Sequence, residues 1–168
     1  MAFLPIKGAV LANTVYKDGV LVAKEVTVAL PSVNYRTAEH SAMGVVELPM
    51  LGQIEAMEAS VTKKGYDAGL AALAAPEASN LEFRFVQDVI SSDNVSKPEG
   101  CKAFMRVVPK TLPGADLEPG SVSDTQINFA VTRYQLFVGG VEVCLIDQLN
   151  GIQRINGKDY AKSINSLL

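Results

Sequence analysis

Alternating apolar and polar positions, punctuated by turn residues, dominate this chain. Thr14-Val15-Tyr16, Lys17-Asp18-Gly19 and Val20-Leu21-Val22 read as a hairpin, because Asp-Gly supplies the positive φ angles of a two-residue type I′ turn. Val26, Val28 and Leu30 alternate with Glu25, Thr27 and Ala29, which predicts a strand with one wet face, ending at Pro31. A polar stretch follows, Ser32–Ser41, with few turn residues. It reads as a projecting hairpin arm, with Val45–Leu48 returning, Val46 and Leu48 inward and Glu47 outward. Ile54–Thr62 fits both a helical and a strand period, so periodicity alone does not settle it.

Tyr66–Ala75 is the first clear helix. Tyr66, Leu70, Leu73 and Ala74 share a face, Asp67 lies in the first turn and Pro76 stops it. Gly69 weakens it by about 1 kcal/mol relative to alanine. Leu81–Ile90 and Cys101–Val108 read as strands on either side of a loop, Ser91–Gly100. Pro113-Gly114 and Pro119-Gly120 make Thr111–Gly120 a connection. Gln126, Asn128, Ala130 and Thr132 alternate with Ile127, Phe129 and Val131 in a long strand to Val138, and Gly139-Gly140 turns it into Val141–Ile146. Gly157–Leu168 predicts an amphipathic helix carrying Tyr160, Ala161, Ile164, Leu167 and Leu168 on one stripe. The sum is about eight strands and two short helices. The fold class is therefore mainly β (α+β), an antiparallel β-sandwich or partial barrel with a flanking α-helix and a C-terminal helix.

Composition narrows the function. The 168 residues suit one domain, 1–168, with a surface of about 8,000 Å² by size scaling. Charged residues are 20% and apolar residues 48%, a low charge content that hints at self-association. A net charge of −3 leaves no broad basic surface for phosphates. No apolar run is long enough for a membrane-spanning helix, and Pro5 and Lys7 break Met1–Ala12 before it makes a signal-peptide core. Cys101 and Cys144 are then expected as reduced thiols, and Asn94-Val95-Ser96 has no meaning as a glycosylation site.

The residues argue against an enzyme. His40 is the one histidine and has no orienting acid or nucleophile beside it in sequence. Cys101 and Cys144 lie in apolar strands as small buried hydrophobes, and with His40 they offer no close ligand pair for zinc. Glu55/Glu58 and Asp116/Glu118 read as solvated charge. Arg84, Lys102, Arg106, Lys110 and Arg133 are spread over several strands among acids, and Phe83 and Phe85 fall on a core-like face. Neither a cofactor nor a metal is expected.

The last third is more specific. The stretch from Tyr134 to Asp159, YQLFVGGVEVCLIDQLNGIQRINGKD, resembles the end of the phage major tail tube family, found in contractile-tailed phages and R-type bacteriocins. The shared pattern is Y-x-L-x-V-x-G-x-E-V, then I-D-x-x-N-G, then I-N-G-x-D. Val28-Ala29-Leu30-Pro31 with Tyr35-Arg36-Thr37 matches the family's V-x-L-P strand and the arm after it. Glu55-Ala56-Met57-Glu58-Ala59 matches E-A-M-E-A, and Met43-Gly44 reverses the family's G-M. Met1–Ala12 and Ser91–Gly100 depart from the pattern.

The resemblance implies an inner tail tube subunit of a contractile injection machine. Six copies would form a ring with a continuous β-barrel, and stacked rings would form a hollow tube that conducts DNA or punctures an envelope. It resolves Ile54–Thr62 toward strand. The arm at about 32–44, with Tyr35, Arg36, Thr37, Ala38, Glu39, His40, Ser41 and Met43, would reach the adjacent ring. Glu25, Thr27, Glu47, Glu58, Ser60, Gln126, Asn128 and Thr132 form the candidate lumen face, small and polar or acidic, which a polyanion would slide past. The same alternation also fits the solvent face of an ordinary sandwich. Implied partners are copies of the chain, sheath subunits, baseplate and terminator proteins, a tape-measure protein and transiting DNA. The implied location is a virion tail or bacteriocin particle assembled in the host bacterial cytoplasm. The alternatives are a type VI secretion tube of related fold, a monomeric small-ligand β-barrel and, last, an Asp/Glu hydrolase.

Overall fold

The computed structural model describes residues 4–168, so residues 1–3 of the Met1–Ala12 stretch lie outside it. The elements are β1 (Ile6–Lys17), β2 (Val20–Lys24), β3 (Thr27–Ala29), β4 (Tyr35–Ala42), β5 (Gly44–Ile54) and β6 (Met57–Lys64). They continue with α1 (Ala68–Ala74), β7 (Ser79–Ile90), β8 (Ser96–Pro109), β9 (Asp124–Val138), β10 (Val141–Asp147), β11 (Ile152–Ile155), β12 (Lys158–Asp159) and α2 (Lys162–Asn165).

Two-residue turns with positive φ close the predicted hairpins, at Asp18 (48°) with Gly19 (84°) and at Gly139 (58°) with Gly140 (82°). All pairings are antiparallel, and β4 and β5 pair only with each other. The other ten strands form one branched sheet, ordered β12-β11-β10-β9-β8-β7-β1-β2, with β6 also on β9 and β3 on β6. The branch follows from β9. Its first half, up to Val131, pairs with β6, whereas Arg133–Val138 pairs with β10. A bulge against β8 falls at the changeover, between Arg106 and Val107. The sheet thereby folds over on itself. An inner limb (β3, β6 and the start of β9) and an outer limb (β7, β8, the end of β9 and β10) share one core. That core holds Val15, Met57, Val61, Leu81, Phe83, Met105, Val107, Ile127, Phe129, Val131 and Ile146. Each such side chain contributes about 1.5–3 kcal/mol on burial.

Within Ile54–Thr62 the structure is extended as expected, but in two strands: Ile54 ends β5, and β6 starts at Met57 with Met57, Ala59 and Val61 buried. Several expectations need correction. The first helix starts at Ala68 because Asp67 is its N-cap and accepts from the Leu70 N–H at 2.9 Å; Tyr66 is exposed. Gly69 has a packing reason, since a Cβ there would stand 2.6 Å from the Val22 carbonyl oxygen. Ser91–Gly100 is not all loop. Residues 96–100 extend β8 opposite β7, and Pro98 is tolerated because β9 does not pair with that part of β8. The C-terminal helix shrinks to Lys162–Asn165. Asn156-Gly157 turns β11 into β12, and the Asp159 carboxylate accepts from the Gln153 and Ala161 N–H groups. Ala161 is buried, but Leu167 and Leu168 are exposed. Val46 and Leu48 do not point into the core, because the ribbon they belong to leaves the body.

Candidate assembly interface

The register aligns five of the eight candidate lumen residues on one face of the inner limb. Thr27, Thr62 and Gln126 form one row, and Ala29, Ser60 and Asn128 the next. Glu58 follows, opposite Ala130, which lies opposite Val108. The face is nearly neutral. Glu58 is ion-paired to Lys110, and Lys64 lies directly opposite Asp124. Lys110, at the start of the β8–β9 connection, is a participant the sequence pattern did not single out. It is placed by its N–H donating to the Asn128 carbonyl at 2.8 Å.

The other three candidates lie elsewhere. Glu25 occupies the turn between β2 and β3 at φ 51°, where its N–H donates to the Asn13 carbonyl, so it is off the sheet face. Glu47 is on the arm, opposite Glu39. Thr132 sits at the bulge, half-buried, its carbonyl accepting from the Gln148 N–H. The acidic part of the expected face is therefore mostly absent.

The arm is longer than expected, with its returning strand reaching Ile54. It is a ribbon with two distinct faces. Ala38, His40, Ala42, Val46 and Leu48 share one; Thr37, Glu39, Ser41, Val45 and Glu47 share the other. Met43 stands at the tip at φ 29° and 114% exposure. A two-stranded ribbon with both faces in water is marginal alone. The total surface, 10724 Å², exceeds the roughly 8,000 Å² expected for this mass by about a third. Exposed Val10, Leu11, Met43, Val45, Leu48 and Leu117 contribute to the excess.

A family model described as phage tail tube protein FII matches residues 9–168. The chain belongs to that family. It is thus a structural subunit of a tail tube and a component of a virion or particle tail. No curated protein matches the chain in sequence. Solved structures share its fold at low identity. One, from the anti-feeding prophage cap (its tube-terminating cap), is 12% identical with TM-score 0.56, covering 82% of this chain and 95% of that one. Another, from the sheath–tube complex of the extracellular contractile injection system PVC in its extended state, is 11% identical with TM-score 0.54, covering 78% and 91%. A third, from the PVC sheath/tube terminator, is 10% identical with TM-score 0.54, covering 82% and 99%.

The tube-family motifs have a structural use here. In I-D-x-x-N-G, Asp147 shapes the β10–β11 turn. Its carboxylate accepts from the Leu149 and Asn150 N–H groups, both at 3.1 Å, and from Asn150 Nδ2 at 2.7 Å. Gln148 then reaches the arm's base, donating from Nε2 to the Glu55 carbonyl at 2.9 Å. Gln153 Oε1 accepts from the Gly52 N–H at 3.1 Å. The C-terminal third therefore clamps the root of the arm.

Burial raises the pKa of both Cys101 and Cys144, and neither is in a disulfide. Among the described residues, no three His, Cys, Asp or Glu side chains converge as a metal site. No helix there is long and apolar enough to cross a membrane.

Proposed function

We propose that six copies of this tube subunit close into a ring, that rings stack into a hollow tube, and that the inner limb lines the lumen. The aligned face of Thr27, Ser60, Thr62, Gln126 and Asn128 carries this reading: it is small, polar and free of net charge. A wall of that kind neither grips nor repels a polyanion, so DNA or a tape-measure protein slides along it. Pairing strand edges around the ring removes the unpaired N–H and C=O groups that β2, β3 and β12 leave open. The arm reaches a subunit of the adjacent ring, where a neighbour covers the faces its own subunit leaves in water. Sheath, terminator and baseplate proteins dock on the outer limb and the tube ends, as the complexes of its structural relatives suggest, and assembly takes place in the host cytoplasm. A monomeric ligand-binding barrel finds no support, because Met57, Ile127 and Phe129 fill the space between the limbs.

Cysteine labelling tests the lumen assignment. Asn128→Cys in the free subunit is expected to react with both a small and a bulky maleimide. In assembled material it should react with the small reagent and be at least about tenfold slower with the bulky one. Equal rates of bulky labelling before and after assembly would place this face outside the tube.

A further inference from the structure

The outer limb carries a cationic patch whose charge is only loosely answered within its own subunit. Arg106 on β8 and Arg133 on β9 lie directly opposite each other, and in the next row Phe104 lies opposite Gln135. Like charges facing across strands destabilise a sheet unless something neutralises them. Nothing within the subunit does so closely. Arg106 reaches only Asn80 Oδ1, at 3.4 Å, and Arg133 stands 3.9 Å from Asp147, a carboxylate already holding its own turn. The nearby acids are also engaged: Glu82 holds Arg84 at 2.5 Å, Glu142, which also feels Arg133, holds Arg154 at 2.6 Å, and Asp18 accepts from the Asn80 N–H. The patch borders a cavity of about 490 Å³, whose lining includes Asn80, Phe104, Arg106, Arg133 and Gln135. Lys102 and the T-shaped pair of Phe104 and Phe137, 5.9 Å apart, continue it along the limb.

The arm presents the complementary pattern. Glu39 and Glu47 lie directly opposite each other, and in the next row Ser41 lies opposite Val45. Neither glutamate has an ion-pair partner among the described residues. Both motifs are cross-strand pairs, with Cβ atoms about 4.5–5.5 Å apart. Both place the next row about 6.7 Å further along. The geometry points to one docking: the acidic face of the arm lies on the outer limb of a second copy. Glu39 and Glu47 meet Arg133 and Arg106, Val45 packs on Phe104, and Ser41 faces Gln135. At about 26 Å for eight extended residues, β4 is long enough to overlap a neighbouring subunit. The inference rests on the ring-stacking reading and names the surface the arm uses.

Charge exchange tests it. E39K/E47K and R106E/R133E should each stay folded by circular dichroism and each lose at least about tenfold of the pelletable tube. The quadruple variant should recover most of it, and growth of the unmodified tube should slow as salt rises. Tubes indifferent to either pair of substitutions would overturn the docking alone. So would a folded quadruple variant that does not recover. Recovery of R106E/R133E by D116K/E118K would overturn it too, moving the acidic contact to the 111–123 connection. Unchanged tubes together with loss of duplex-DNA binding in R106E/R133E would mark the patch as a phosphate surface instead. Failure of the unmodified chain to form any ring or tube would overturn the docking and the tube reading together.

Discussion

Excising residues 38–48 and joining Thr37 to Pro49 through Asn-Gly is expected to abolish tube growth and leave a folded subunit. Thr37 and Pro49 are already opposed in the ribbon, so a tight turn joins them with little change in backbone direction. The excised strands pair only with each other, and none of their side chains belongs to the core. The clamp by Gln148 and Gln153 lies below the cut, at Gly52 and Glu55, and is retained. The melting temperature of the free subunit should therefore move by less than about 4 °C, the equivalent of roughly 1 kcal/mol. It must be compared at a concentration where the parent is also unassembled, because assembly itself stabilises. Sedimentation should show the parent as polymer and the shortened chain as monomer or single ring. Normal tubes from the shortened chain would remove the arm from the assembly mechanism, whereas loss of fold would show that the ribbon is part of the body.

The second large effect is expected at Asp147. The residue is buried, and its side chain satisfies two backbone N–H groups and the Asn150 amide. Alanine there leaves those donors without a partner and loosens the turn that presents Gln148 to the arm. The cost should be about 2 kcal/mol, or roughly 4–8 °C in melting temperature. Asp147 also makes the subunit acid-sensitive. Burial raises its pKa, but the Asn150 side chain, the Asn150 and Leu149 N–H groups and Arg133 outweigh that, so the net shift is below the ordinary 3.8. With the folded pKa depressed, its contribution is fully present above about pH 3.8 and is lost as pH falls through the folded value. Arg154 chiefly lowers Glu142, in the same sense. The difference between parent and Asp147→Ala in urea midpoint should be constant from pH 5 to 7 and narrow toward pH 3. A difference that does not narrow would place the role of Asp147 in packing and not in its charge.

Much of the fold was legible because its signals are local. Asp18-Gly19 and Gly139-Gly140 announce turns, and Ile127, Phe129 and Val131 announce a buried face. What stayed hidden depends on tertiary contacts. Tyr160, Ile164 and Leu168 keep a helical spacing, yet the Asn156-Gly157 turn and Asp159 caps commit the segment to a hairpin first. Val46 and Leu48 alternate as a core strand does, and sequence alone does not distinguish a face buried in its own subunit from one left for another. For the same reason Glu25 and Glu47 joined the expected lumen face on parity, while register along β3, β6 and β9 selects Thr27, Glu58, Ser60, Gln126 and Asn128. The neutralisation of Glu58 by Lys110 joins residues 52 positions apart and has no sequence period to reveal it.

The low charge of the chain now has a location in the proposed tube: the neutral inner limb and the apolar face of the arm. Cryo-electron microscopy of the purified chain, reconstructed with helical symmetry, tests this most directly. The account predicts a hollow tube of stacked sixfold rings, with Ser60, Gln126 and Asn128 facing the lumen and each arm crossing to the adjacent ring. A monodisperse monomer at high concentration, or a tube with those three side chains on its outside, would contradict it.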